Sequence, residues 1–255
     1  MIDLLRAELI KVRRSPALFL VLLLPTLLTL LLCLFLSHEG SRMFGAASVE
    51  PWRWLGDTAL NIWSLIFFPA ELALVAAFLA SMETRTRGWT MLFTMPVNKE
   101  KVYLAKLLVV CGLVGLSYAV LVAEISLGGF VLQWLRPGIG FGTALGPLDL
   151  YLHAGLSYLA SLFLVSVQAW VALRSRDLVT PLAFGFLAAL SLLLLRSVGP
   201  EWEVYHPGSY AALAGTGWLL ESHFIQACSW AGLGLVGAAT FAVISSRSFV
   251  RRDFF

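Results

Sequence analysis

Charge is what this sequence has least of. Of its 255 residues only 13% are charged and 59% are hydrophobic, whereas a soluble domain carries roughly 25% charged and about 45–50% apolar residues. With about half the usual charge, the chain has too few polar side chains to cover a globular surface. An ordinary soluble enzyme and a disordered segment are both excluded. Cysteine is scarce too. Cys33, Cys111 and Cys228 stand alone within apolar runs, which excludes a disulfide scaffold and leaves them as small core residues. His38, His153, His206 and His223 do not pair at i, i+4, so no metal site is read. None of the four lysines follows a glycine, so the phosphate-cradling G-x-x-x-x-G-K-[ST] loop is missing. Any dependence on ATP has to come from another chain. No G-x-S-x-G elbow or H-E-x-x-H helix is present, and no catalytic residue is assigned. The net charge of +3 is not a nucleic-acid footprint.

What is present is apolar sequence in long blocks. Ser15–Ser37, Leu150–Leu173, Leu178–Leu195 and Ser222–Ser246 contain no Asp, Glu, Lys or Arg; Thr58–Met82 contains only Glu71, and Leu107–Leu135 only Glu124. About 20 residues of α-helix, rising about 1.5 Å each, cross a hydrocarbon core of about 30 Å. The apolar character is continuous rather than alternating, which excludes a β-barrel. The expectation is an all-α polytopic membrane protein of one domain, 1–255, with six transmembrane helices at about 16–36, 59–81, 103–133, 150–173, 178–195 and 223–245. The first run is too long for a signal-peptide core and no small-residue cleavage site closely follows it, so it reads as a retained anchor.

Six spans put both termini on one side. Fourteen of the eighteen Lys and Arg residues fall on that side, and four (Arg42, Arg53, Arg136 and Arg196) on the other. The asymmetry predicts cytoplasmic N- and C-termini. Trp52, Trp54, Trp89, Trp134, Trp202 and Trp218 are expected near the interfaces, and Trp63, Trp170 and Trp230 as packing residues within spans.

Between the spans, residues 1–15 carry apolar positions 2, 5, 9 and 12 among charges, the pattern of an interfacial amphipathic helix. It reads either as an anchor in the headgroup layer or as a lever touching a partner. The loop 82–102 is too long for a plain helix connector. It holds Glu83, Arg85, Arg87 and Gly88, then an apolar stripe of Trp89, Leu92 and Phe93, then Pro96, Val97, Asn98 and Lys99. Pro96 stops a helix and Asn98 can cap the next. A short crosswise helix with an unsatisfied apolar face fits this pattern, and such a face needs a partner. Residues 37–57 and 136–149 read as ordinary surface loops. The extracytoplasmic loop 196–222 reads as partly embedded. Three polar residues remain inside spans: Glu71, Glu124 and Gln168. Each is either a pathway group or a hydrogen-bonded packing residue.

Three stretches carry a resemblance. They are LRAELIKVRRSPALFLVLLLP from Leu5 to Pro25, METRTRGWTMLFTMPVNKEKVYLAK from Met82 to Lys106, and the tail SRSFVRRDFF with Arg251, Arg252 and Asp253. With them the sequence resembles the permease subunit of type-2 ATP-binding-cassette transporters, and most of all the compact lantibiotic-immunity and bacitracin-resistance exporter permeases. The matching loop positions are Glu83, Gly88, Pro96, Val97 and Lys106. The resemblance implies a non-enzymatic transport subunit that forms a translocation path with a second permease chain, identical or homologous. It implies two cytoplasmic ATPase subunits as partners, with ATP and Mg bound there and no cofactor held by this chain. The loop 82–102 would be the coupling helix, and the cargo a hydrophobic or amphipathic peptide, lipid or drug. Two other readings are a stand-alone proton-coupled transporter using Glu71 and Glu124, and a membrane enzyme or assembly factor.

Overall fold

The structure is a computed structural model that describes residues 2–13, 15–44, 50–85, 98–142, 146–175, 177–216 and 222–250. These form helices, with no strand among the described residues. The elements are α1 (Ile2–Arg13), α2 (Pro16–Phe44), α3 (Pro51–Ile62), a π-helical turn (Trp63–Phe67), α4 (Phe68–Arg85), α5 (Lys99–Leu135), α6 (Leu148–Arg174), α7 (Val179–Val198), and the short α8 (Pro200–Glu203) and α9 (Tyr210–Gly215), then α10 (Ser222–Val250). Six segments are long and apolar enough to cross a membrane: α2, α3–α4 as one rod, α5, α6, α7 and α10. The chain is a multi-pass all-α membrane protein. In hydrocarbon every backbone polar group needs an internal partner, and the helix supplies it within the segment.

Local sequence sets several helix boundaries. Pro16 and Pro51 open α2 and α3 at the position where a missing N–H costs nothing. Ser15 Oγ accepts the Ala17 N–H at 3.1 Å. Asn98 Oδ1 accepts the Glu100 and Lys101 N–H groups at 2.9 and 3.3 Å, a side-chain cap on α5. The π-helical turn ends two residues before Pro69, which cannot donate to the ladder.

The bundle has a core and a periphery. Of the membrane-length stretches, α3–α4, α5 and α6 are 56%, 50% and 56% buried, whereas α2, α7 and α10 are 28%, 17% and 22% buried. Helix α2 lies on α5, α7 on α4, and α10 on α6. Lipid is as apolar as leucine, so close packing rather than hydrophobic transfer holds such helices together. Small residues make that possible at two places. A side chain at Gly234 of α10 would run into the Ala160 backbone of α6, and one at Gly185 of α7 into Ala73 of α4.

Three sequence expectations change. The segment 37–57 is not a surface loop: α2 continues to Phe44 and α3 begins at Pro51. Trp52 is not at an interface. It is 5% exposed, stacks edge-on against Phe141 and donates from Nε1 to Phe141 O at 2.6 Å. The segment 136–142 is thereby folded down as a cover, with Ile139 and Phe141 buried. Third, the stripe at 2, 5, 9 and 12 of α1 is divided. Leu5 and Val12 face the bundle with Val21, Val109 and Leu113, while Ile2 and Leu9 are exposed. The helix leans on its 5–8–12 face because Glu8 has a buried partner, described below.

Candidate functional site

Pro25 lies inside α2. Its missing N–H leaves the carbonyl four residues earlier, Val21 O, without a helical donor. Ser117 of α5 fills the gap, with Oγ 3.2 Å from Val21 O and 2.7 Å from Glu71 Oε1. One residue further on, Thr26 Oγ1 lies 2.7 Å from Leu22 O and 2.5 Å from Glu124 Oε1. Each hydroxyl has one proton and faces two acceptors. Each hydroxyl therefore bridges an α2 carbonyl and a carboxyl oxygen, Ser117 to Glu71 and Thr26 to Glu124. Both intramembrane acids are therefore docked on α2 at its proline.

Their surroundings differ. Glu71 is fully buried between α2, α4 and α5, whereas Glu124 is part-exposed and lines a groove between α2 and α5. Glu71 Oε2 and Glu124 Oε2 each have no hydrogen-bond partner. Gln168 is elsewhere. It is buried in α6 and donates from Nε2 to Pro181 O of α7 at 2.7 Å, tying a peripheral helix to the core.

A second polar cluster was not read from the sequence. Ser157 of α6 donates to Ala211 O of α9 at 2.7 Å; Tyr118 OH lies 3.2 Å and Ser64 Oγ 3.4 Å from the same Oγ. The short α9 is thus drawn into the bundle, with Ala211, Ala212 and Ala214 buried. His153 Nδ1, 3.1 Å from Ala214 O, adds to this. Elsewhere in the segment 196–222, Val204 and Tyr205 are exposed. The available signal was the hydroxyls within apolar runs, Ser64, Ser117, Tyr118 and Ser157 among them.

The end of the bundle that bears α1 carries the ionic contact. Glu8 Oε1 of α1 takes Lys106 Nζ of α5 at 2.9 Å and Lys11 Nζ at 2.9 Å. Lys106 is 6% and Glu8 13% exposed, while Lys11 is 38% exposed. The buried member is therefore the interhelical pair. Lys106 lies seven residues into α5 from Lys99, about 10 Å along the helix. Of the loop residues singled out, Arg87, Gly88, Trp89, Leu92, Phe93, Pro96 and Val97 lie outside the described residues. Glu83 and Arg85 belong to the last turn of α4, without their side chains being described. Asn98 is an exposed cap and Lys99 the first residue of α5.

A family model described as "ABC-2 family transporter protein" matches residues 4–191. The chain belongs to this family. No curated protein and no solved structure matches it. The match runs from α1 into α7 and so takes in the Glu8–Lys106 pair, both intramembrane acids and the segment 86–97. As an ABC-2 family transporter protein, the chain is a membrane permease component of an ABC transporter. Membership implies an ABC ATPase as partner and the lipid bilayer as solvent. The catalytic work of such a transporter lies in the ATPase, and this chain is the transport subunit.

Proposed function

We propose that this permease is driven through the segment 82–102 and passes the stroke to the membrane along α5. The observation that carries the reading is the form of α5. It is one helix of 37 residues, capped at Asn98 within that segment and running through the bundle to Leu135. At about 1.5 Å per residue it is about 55 Å long, well beyond a hydrocarbon core of about 30 Å. A push at its first turn is delivered to the far end without a hinge at a proline, since α5 contains none. Glu8–Lys106 ties α1 to the same first turns, so the two elements move together.

In this reading Trp89, Leu92 and Phe93 present the apolar face that an ATPase groove covers, with Glu83, Arg85 and Arg87 at its rim. Two ATPase subunits would sit beneath two permease chains, in a bacterial inner membrane with both termini cytoplasmic. The 14-to-4 distribution of basic residues supports that orientation. Helix α7 supports a second permease chain, identical or homologous. It is the least covered of the six spans, and with α4 it forms an apolar groove of about 400 Å³ lined by Ile66, Ala70, Phe186 and Leu190. A path beside it favours export of a hydrophobic or amphipathic peptide, lipid or drug. The chain length and the Glu8, Lys11 start favour the compact lantibiotic-immunity and bacitracin-resistance exporters. Proton coupling through Glu71 and Glu124 is the competing reading, and one observation favours it: both carboxyls keep an unpartnered oxygen.

The test is co-purification. The tagged chain is extracted from membranes of cells expressing it with its neighbouring genes. An ATPase subunit is expected to co-elute, and Leu92→Asp with Phe93→Asp is expected to release it while the permease still inserts. Absence of any ATPase, with transport that follows a proton gradient, would move the function to the competing reading.

A further inference from the structure

The groove between α2 and α5 is unlike the other apolar grooves of this bundle. It encloses about 370 Å³ and opens along the side of the protein. Its walls are Leu30 and Leu34 of α2 and Leu127 and Val131 of α5. Polar atoms sit in it without partners. Thr29 is 6% exposed, lines the groove and has no hydrogen bond to its Oγ1. Glu124 lines the same groove, and its Oε2 is likewise buried and unpartnered, although Oε1 is held by Thr26. Leaving a buried polar atom unmatched is costly in a bilayer, where no water is at hand. Two in one groove describe a cavity built for something that donates hydrogen bonds.

Depth narrows the choice. Glu124 lies 11 residues before Leu135, the end of α5, or about 16 Å along the helix. A lipid headgroup stays at the interface, so the donor must belong to a molecule that can bring it to mid-membrane depth. The groove is otherwise lined by aliphatic side chains, which suits an alkyl body.

We propose that this groove binds a lipophilic amine, with nitrogen at Glu124 and Thr29 and an alkyl body along Leu30, Leu34, Leu127 and Val131. The amine enters as its ammonium, and Thr26 Oγ1 keeps its contact with Glu124 Oε1. The ammonium donates to Oε2, and a primary amine has a further N–H for Thr29 Oγ1. The proposal concerns this groove in the permease alone and does not depend on the coupling reading above.

Cys33 lines the groove and is part-exposed, which makes it a reporter. The full-length chain carrying Cys111→Ser and Cys228→Ser is reconstituted in phosphatidylcholine vesicles. Its modification by methyl methanethiosulfonate is timed with dodecylamine or with tridecane at equal mole fraction. Dodecylamine is expected to slow Cys33 modification at least about fivefold and tridecane to leave it nearly unchanged. Glu124→Gln is expected to remove the protection and Thr29→Val to weaken it. Leu34→Trp, which fills the groove and keeps the carboxyl, is expected to remove it too, so the outcome does not hang on one variant's folding. Equal protection by tridecane would assign the groove to lipid chains. Protection that rises with the protein-to-lipid ratio alone would assign it to a second copy of the chain. Either result, or undiminished protection in Glu124→Gln, overturns the proposal.

Discussion

Glu8 and Lys106 hold α1 against α5, and removing one of them should cost far more than an ordinary surface ion pair. Their side chains are 13% and 6% exposed and meet at 2.9 Å. Breaking a buried pair by deleting one member costs about 3–5 kcal/mol. Glu8→Gln keeps a neutral acceptor at the same place, which offsets part of this. Lys11 is 38% exposed, so its own contribution is screened to about 0.5 kcal/mol or less. The expected cost of Glu8→Gln is therefore about 2–3 kcal/mol. Lys106→Met should cost a similar amount, because Glu8 is left with the exposed Lys11 alone. The double variant restores neutrality and packs a methionine where the lysine stem lay, so it should recover most of the loss. The assay is a double-mutant cycle on the unfolding of the detergent-solubilised chain by SDS, with protease cleavage after Arg13 as a local readout of α1 release. A coupling energy of at least about 1.5 kcal/mol is expected. Additive single losses, with no recovery in the double variant, would refute the pair as the clamp that joins α1 to α5.

Three further outcomes follow from other contacts. Asn98→Ala removes the cap that accepts the Glu100 and Lys101 N–H groups; a loss of about 1 kcal/mol is expected, seen as faster amide exchange confined to the first turn of α5. Gly234→Leu places a side chain against the Ala160 backbone; a loss of about 1–3 kcal/mol is expected, and an unchanged melting temperature would show that α10 does not lie so close to α6. His206 accepts the Gly208 N–H at Nδ1 and meets Ser191 Oγ at Nε2, and burial pushes it below its ordinary 6.5. The unfolded state therefore takes up the proton first, so its contribution is complete above about pH 6.5 and is lost as the pH falls through the lower folded value. The protection factors at Gly208 and Ser209, taken against the intrinsic exchange rate at each pH, should fall between pH 7.5 and 5.5, and His206→Gln should flatten that response.

The helices were legible because the bilayer leaves few choices. A continuous apolar run of 20 residues has one way to satisfy its backbone, and the six runs became six membrane-length helices. The cap at Asn98 was legible for the same local reason. What the sequence did not disclose was pairing. Glu8 and Lys106 are 98 positions apart, and each looked like one more charge flanking a span. Glu71 and Glu124 were visible as acids in hydrocarbon, but not that both end on α2 beside Pro25; that depends on which face of α5 meets α2. Trp52 read as an interface residue because indole suits the headgroup layer, and only the folding-down of Phe141 makes it a core residue. The embedding of α9 turned on Ser157, whose three contacts come from three other elements, and on His153.

The claim that force enters at 82–102 is open to one direct measurement. A chain with Cys33, Cys111 and Cys228 replaced by serine and with Leu92→Cys is co-expressed with its ATPase and treated in membranes with a short bismaleimide. The account predicts a cross-linked product containing the ATPase, diminished when ATP and vanadate trap the complex in a different state, and absent when the cysteine is placed at Leu135 instead. Cross-linking to the ATPase from Leu135 but not from Leu92 would contradict it.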